Sequence, residues 1–389
     1  MKMDKVVCCG IGNAGGQVSA LAQKKYPELF TSIFINTSEA DLSQVNVDTD
    51  LKFKIGERDI IEGSAKNRAR MKEYLKEDLE KLLMDEKFQS AIVDSKYCFI
   101  ISSTAGGTGS GAAPVLLEIL SKWMPKTKFI LVAILPRIEA SLMEQGNSLE
   151  YLNELYEVIG DDVTYMIYDN ESTADLSPTQ SLQEVNKNIV EDLRVLTGVD
   201  NYSTPYESID AADLESILTT KGRLLVARVK KDLSEKNIED NSIDDMIIKA
   251  IKQSSNAETD RDKKVERWGI ITYLTESANE VFKSNFERLS NFVGTPLERF
   301  NHNAINPGKD NTNFLYFIAS GMAPINDRTQ KVIDRIEELK NAQANSDSMK
   351  FILSGEGASY NDIMERRKED ERSRATQDFD PDSIFDKFM

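Results

Sequence analysis

Two glycine-rich runs have the residue types and spacing to hold a phosphate. Gly10-Ile-Gly12-Asn13-Ala-Gly15-Gly16 follows the apolar run Lys5–Gly10 and opens a helical stretch. Thr104-Ala-Gly106-Gly107-Thr108-Gly109-Ser110-Gly111 follows a second apolar run, YCFIIS, and opens another. Glycine permits positive φ and lets backbone N–H groups approach an anion closely, and a helix N-terminus adds positive potential. The first run offers Gly12, Asn13, Gly15 and Gly16. The second offers Gly106, Gly107, Thr108, Gly109 and Ser110, a nest of N–H donors with interleaved hydroxyls that suits a polyphosphate. A lone G-x-G-x-x-G also fits a dinucleotide fold. That fold wants an acid about 20 residues on, at the end of the second strand. Here the strand ends in Asn36-Thr37-Ser38, Glu39 comes late, and a dinucleotide enzyme has no use for the second run. No G-x-x-x-x-G-K-[ST] run is present, so there is no Walker lysine.

Other chemistry is sparse. The single histidine, His302, rules out a multi-His metal cage and leaves a Ser-His-Asp triad untested. Carboxylates are the remaining titratable bases. Asp210 and Asp213 stand three apart just before the run Leu214–Leu218, which reads as helix capping and puts both on one side of a first turn. No residue is assigned as a metal ligand. The 389 residues carry 48 Lys and Arg against 65 Asp and Glu, a formal charge of −17. Such acidity argues against gripping nucleic-acid phosphate directly. Cys8, Cys9 and Cys98 read as packed free thiols of a reducing compartment. The N-terminus has no long apolar signal region, and Phe129–Pro136 is too short to cross a bilayer, so the expected location is cytoplasmic.

Strands are expected at Lys5–Gly10, Thr31–Asn36, Tyr97–Ser102, Phe129–Leu135 and Val163–Tyr168. Helices are expected at Gln17–Lys25, Lys66–Phe88 and Ala112–Trp123. Continuous apolar strands alternating with helices predict a parallel sheet covered on both faces. A long helix is expected over Leu182–Leu196, with Leu182, Val185, Ile189, Leu193 and Leu196 as one apolar stripe. Arg223–Val229, Trp268–Leu274 and Phe314–Ala319 then read as strands, and Ile243–Ser254, Ala278–Phe292 and Asn326–Gln343 as helices of a smaller α/β unit. From about Tyr360 the chain is densely charged and poor in aliphatics, which predicts a disordered tail. Its last residues carry Ile384, Phe385 and Phe388 on one side of a short helix, a pattern suited to docking in a partner's groove.

Gly106-Gly107-Thr108-Gly109-Ser110-Gly111, between a strand and Ala-Ala-Pro, resembles the signature loop of the tubulin/FtsZ superfamily, and GIGNAGGQ resembles its first nucleotide loop. Asn36-Thr37, Gly63-Ser64-Ala65-Lys66-Asn67, Pro136–Glu139 and Ser208-Ile-Asp210-Ala-Ala-Asp213 resemble the second, third, fifth and seventh loops in order. The resemblance covers roughly residues 5 to 345. Ala105, Ser38, Gln17 and Ser208 replace the usual Gly, Asp, Asn and Asn. These departures, the A-G-G-T-G-S-G run and the aromatic end of the tail resemble the plasmid and phage branch, TubZ, more than the division protein.

The resemblance implies an α/β fold. A parallel-sheet GTP-binding domain would span 1–180, the central helix and catalytic loop 181–220, a smaller activation domain 221–345, and a flexible tail with a docking peptide 346–389. It implies GTP/GDP as ligand. Ser64 and Ala65 would lie near the γ-phosphate, Glu139 and more weakly Asn147 near the ribose, and Gln17 with Asn186 (chosen over Asn188) near guanine. It makes Asp210 and Asp213 catalytic on the nucleotide of the next subunit in a homopolymeric filament. Two carboxylates beside a phosphate imply Mg²⁺. The expected function is an assembling GTPase that segregates plasmid or phage DNA through a basic adaptor bound at Ile384, Phe385 and Phe388. A cell-division filament and a dinucleotide-dependent oxidoreductase stand as alternatives.

Overall fold

The structure is a computed structural model of the chain. It describes residues 6–56, 64–198, 209–230, 233–239, 241–256, 263–307, 313–349 and 386–388. Gly63, Ser208, Ile384 and Phe385 therefore lie outside the described residues, as does most of the expected tail.

The N-terminal half runs β1 (Val6–Ile11), α1 (Gly12–Lys25), β2 (Phe30–Asn36), α2 (Glu39–Gln44), β3 (Lys52–Lys54), α3 (Arg68–Met84), α4 (Glu86–Val93) and β4 (Tyr97–Ser103). It continues through α5 (Thr108–Trp123), β5 (Lys128–Leu135), α6 (Leu142–Asn153) and β6 (Thr164–Asp169). The long α7 (Pro178–Gly198) and then α8 (Ala211–Thr219) lead to the second half. There β7 (Gly222–Arg228), α9 (Glu235–Glu239), α10 (Ile243–Lys252), β8 (Arg267–Thr275), α11 (Glu276–Val281) and α12 (Glu287–Val293) precede β9 (Glu298–Asn306), β10 (Phe314–Met322) and α13 (Asn326–Met349).

The strands join in one ten-stranded sheet ordered β3-β2-β1-β4-β5-β6-β7-β10-β8-β9. From β3 to β7 every neighbour is parallel. β10 runs antiparallel to both β7 and β8. The β6–β7 junction is short, pairing only Thr164 with Gly222 and Tyr165 with Arg223. Alternation on fully buried strands explains the continuous apolar runs. Val7, Cys9 and Ile11 face the core beneath α3, α4 and α5, whereas Val6 and Cys8 face the core beneath α1, α7 and α8. The adjacent thiols thus point to opposite faces. All three cysteines are free and buried, and burial pushes Cys9 up to about 12.

The first β1, β2, β4, β5 and β6 segments fall where the sequence places them, within a residue or two. The expected helix Lys66–Phe88 is instead two helices. Asp85 turns the chain at ψ 120° and its carboxylate caps α4 at the Lys87 and Phe88 N–H groups. Residues 278–292 likewise split into α11 and α12, with Phe286 in the left-handed region between them. β9 was not expected. It is a polar edge strand whose alternate residues Phe300, His302, Ala304 and Asn306 are buried, too weakly apolar to stand out. In α7, Val185, Ile189, Leu193 and Leu196 are fully buried, but Leu182 is 47% exposed, because the stripe begins one turn later.

Candidate functional site

The order β3-β2-β1-β4-β5-β6 reverses direction between β1 and β4, the switch point at which ligands bind outside the strand ends of open α/β sheets. Both glycine runs leave those two strands there, and the helices they open bring their N-termini together. Gly12 adopts φ +72°, and a Cβ on it would lie 3.0 Å from the Gly109 amide nitrogen. Neither α1 nor α5 has an acidic residue in its first turn or a side-chain N-cap. Two sets of helix-terminal N–H groups are thus left for an anion.

Most of these glycines are required by the fold itself. A Cβ on Gly15 would meet the Ile101 carbonyl at 2.0 Å, and one on Gly10 the Gly15 carbonyl at 2.5 Å. Gly107 would strike Ser64 Oγ at 2.1 Å, and Gly109 the Ile11 carbonyl at 2.8 Å. In the second run none adopts positive φ. Close approach of loop to loop, and not conformational freedom, demands glycine there. Gly106 is the exception, with nothing within 4 Å of its added Cβ. It and Gly16, whose Cβ would only touch Phe34, border open space.

Three loops meet in a hydroxyl cluster. Thr108 Oγ1 lies 2.9 Å from Thr37 Oγ1 and 3.4 Å from Ser64 Oγ. Ala65 and Lys66 follow in the left-handed region, at φ 50° and 61°. Such backbone is costly for side-chain-bearing residues and is held by its surroundings. Asn67 closes the turn by donating its N–H to the Ser64 carbonyl at 2.8 Å. Lys66 pairs with Glu144 at 2.9 Å. Asn36 accepts from the Thr37 N–H at 2.8 Å, and Ser38 accepts from the Asp41 N–H to cap α2. Serine caps as well as aspartate, so the unusual Ser38 has a local reason. Among the described residues no group of three His, Cys, Asp or Glu is placed to hold a metal ion.

Two expected ligand contacts are occupied by the fold. Ser110 is fully buried, and its hydroxyl donates back to the Gly106 carbonyl. Asn147 lies under the loops, its amide donating to the carbonyls of Lys66 (2.9 Å), Ala105 (3.0 Å) and Gly106 (3.2 Å). It ties the third loop to the signature loop and is not directed at a ribose. No local pattern in the sequence marks that role. Glu139 is exposed beside Arg137, whose guanidinium holds the loop through the Thr173 and Leu176 carbonyls.

Beside the first loop a cavity of about 250 Å³ is lined by Gly12, Asn13, Gly16, Gln17, Asn36 and Asp41, among others. Gln17 donates to Asn13 at 3.1 Å, so these amides form one pair at its rim. On α7, Asn188 is committed elsewhere, donating to Ser255 at 2.8 Å. Asn186 is half-buried and makes no side-chain hydrogen bond among the described residues.

Asp210 and Asp213 are not with the loops. They form a reciprocal capping box on α8: Asp210 accepts from the Ala212 and Asp213 N–H groups at 2.8 and 2.9 Å, and Asp213 accepts from the Asp210 N–H at 3.0 Å. The helix is fixed at the edge where strands begin. Its Glu215 pairs at 3.0 Å with Lys96, just before β4, and Thr164, first in β6, donates to the Thr220 carbonyl at 2.9 Å. The glycine loops leave the other end of β4, roughly 20 Å away. Asp210 is only about 8 Å along the helix from Glu215. The pair therefore sits at the opposite pole of the sheet. His302 Nδ1 accepts from the Ile209 N–H at 3.1 Å, so the sole histidine anchors the approach to Asp210 and is part of no triad with it.

Known proteins match the chain over the region that carries both glycine loops. The model of the Tubulin/FtsZ family GTPase domain covers residues 5–178. Over these residues the chain is similar to the GTPase domain of that family. The Tubulin-like protein CetZ of Pyrococcus abyssi is 28% identical over 239 residues, which is 60% of this chain and 63% of that protein. The match thus spans under two thirds of that relative's length. Phage c-st TubZ of Clostridium botulinum, in a form truncated at its C-terminal tail, superposes with a TM-score of 0.69 at 20% identity, over 88% of this chain and 100% of that one. CetZ2 from Haloferax volcanii, in a GTPgS-bound protofilament, superposes at 0.68 with 16% identity, over 88% and 99%. The fold is therefore tubulin-like along most of the chain.

Proposed function

We propose that the chain is an assembling GTPase whose active site is completed by a second copy. The observation that carries this reading is the separation of the two half-sites. The phosphate cradle lies where β1 and β4 end, and the exposed Asp210 with its partner Asp213 lies where β4 and β6 begin. One chain cannot bring them together, but head-to-tail stacking would, and such a heterologous contact would propagate as a filament. That CetZ2, which shares this fold, is seen as a GTPgS-bound protofilament supports assembly. Gly12, Gly106 and the first-turn N–H groups of α1 and α5 would receive the phosphates. Asn13, Gln17 and Asn186 would face the base, and Glu139 the ribose. Asp210 and Asp213 of the incoming copy would orient the attacking water. The protein hydroxyls Thr37, Ser64 and Thr108 suit a Mg²⁺ held mainly by phosphate oxygens and water, the mode usual for this ion. Its role would be to offset phosphate charge. The domain limits 1–180, 181–220 and 221–345 follow the same division of labour, although one sheet runs through them.

The finer reading is segregation of plasmid or phage DNA in the cytoplasm, through a basic adaptor. The charge of −17 and the likeness to phage TubZ support it. The sequence match to CetZ supports only the coarser reading, a tubulin-like protein. The test of the common core is the GTPase rate per chain against protein concentration. The rate should be near zero at low concentration and rise steeply at the assembly threshold. A rate per chain flat across that threshold overturns the shared site.

A further inference from the structure

The segment Asp386–Phe388 does not project from the molecule. Phe388 is only 4% exposed and belongs to the apolar core beneath α3, α4 and α5. Its carbonyl accepts from Lys72 Nζ on α3, and the same ammonium stands 5.7 Å over its ring. The neighbouring Lys387 pairs with Glu118 on α5 at 2.6 Å. Aromatic, carbonyl and ammonium of one short segment are thus each matched by the groove between two helices that pack together.

The partners of that segment do not stop at the groove. Lys72 and Arg68 stand one turn apart on α3 and are 3% and 4% exposed. Both share Glu154, in the π-helical turn Glu154–Ile159 after α6, with Lys72 at 2.7 Å. Arg68 Nη1 donates to the Asn147 carbonyl at 2.9 Å. Asn147 in turn holds Lys66, Ala105 and Gly106. A continuous run of buried polar contacts joins the segment to the signature loop. Withdrawing Phe388 would take a carbonyl from a buried ammonium and leave a void beside it, both costly. π-Helical turns are found frequently at functional sites.

We propose that the groove between α3 and α5 is a docking site for this chain's own segment Asp386–Phe388. Its occupancy is coupled to the signature loop through Lys72, Glu154, Arg68 and Asn147. By linkage, docking and the binding of a ligand at the loop change each other's affinity by the same factor. The coupling to a nucleotide rests on the proposed function, whereas the docking does not.

The test begins with zero-length carbodiimide cross-linking of the full chain without nucleotide. A Lys387–Glu118 product within single chains is expected, at a yield independent of concentration. It should vanish in Lys387→Glu and return in Lys387→Glu combined with Glu118→Lys. No product in the parent chain, or a yield that rises with concentration as between copies, overturns self-docking. Amide exchange over residues 104–110 then reads the coupling. Phe388→Ala and Lys387→Glu should each speed it roughly fivefold, within the usual range of site-to-site coupling. Unchanged exchange in both variants overturns the coupling. A chain that cross-links and responds in this way yet binds no GTP overturns the nucleotide reading and leaves self-docking in place.

Discussion

Gly106 and Gly107 are neighbours with opposite duties. A methyl group on Gly107 would overlap Ser64 Oγ at 2.1 Å and crowd the Asn67 amide nitrogen at 2.8 Å, whereas one on Gly106 meets nothing within 4 Å. Gly107→Ala should therefore destabilise the folded chain by about 1–3 kcal/mol, as overpacking against backbone does. Gly106→Ala should leave the thermal midpoint nearly unchanged but weaken GTP binding at least tenfold, because the added methyl fills space left for the ligand. Paired melting and GTP titration check this. Equal losses of stability in the two variants would show that the loop has no open face. The sequence reads both residues alike, as phosphate contacts. The distinction depends on the third loop passing close to Gly107, a contact between residues about forty positions apart that no local pattern encodes. Asn147 was equally opaque. An asparagine that satisfies three carbonyls of two distant loops looks, in sequence, like any polar helix residue.

The long helix α7 was legible as an element because its apolar positions recur at helical spacing. What the spacing hides is a carboxylate on the buried face. Asp192 is 7% exposed and accepts from the Tyr168 hydroxyl at 2.8 Å. Burial pushes its pKa up from the ordinary 3.8 to about 8, opposed by the Tyr168 hydrogen bond and the charges of Lys230 and Arg228, and reinforced by Glu191. The folded chain therefore keeps this proton where the unfolded chain has lost it. Its contribution is fully present below about pH 4, declines as pH rises toward 8, and is constant above. Asp192→Asn keeps the acceptor oxygen and cannot ionise. The stability of Asp192→Asn relative to the parent should rise between pH 5 and pH 8, on the order of 2–4 kcal/mol. Denaturant unfolding at several pH values measures it, and a difference that does not change with pH would mean that Asp192 is ionised in the fold. Elements missed in sequence failed for the converse reason. β9 buries Asn and His at alternate positions, so its period is present in space but faint in hydropathy.

At the scale of the whole molecule, the order of motifs along the chain says nothing about which pole of the sheet each one occupies. In sequence only the resemblance, and no pattern of residues, puts the acids at the start of α8 on a different copy from the loops after β1 and β4. Their placement at opposite ends of β4 gives that expectation a physical ground, since each half-site is then useful only against another copy. Asp210 also caps α8 through two N–H groups. Asp210→Ala would thus combine loss of a carboxylate with a capping cost of about 1 kcal/mol. Asp210→Asn keeps the cap and removes only the charge, so it is the cleaner probe. Alone, Asp210→Asn should bind GTP, assemble and fail to turn over. A chain with Gly106→Asp, which sets a carboxylate against the phosphates, should neither bind GTP nor turn over. Mixed together, the loops of the first variant face the intact acids of the second at some junctions. With random assembly about a quarter of junctions are of this kind, since a heterologous contact takes one face from each partner. Turnover should reappear on mixing and reach a corresponding fraction of the parent rate at equal amounts. If assembly is intact and the mixture stays as inactive as its components, Asp210 acts within its own chain or not at all, and the two-pole site falls.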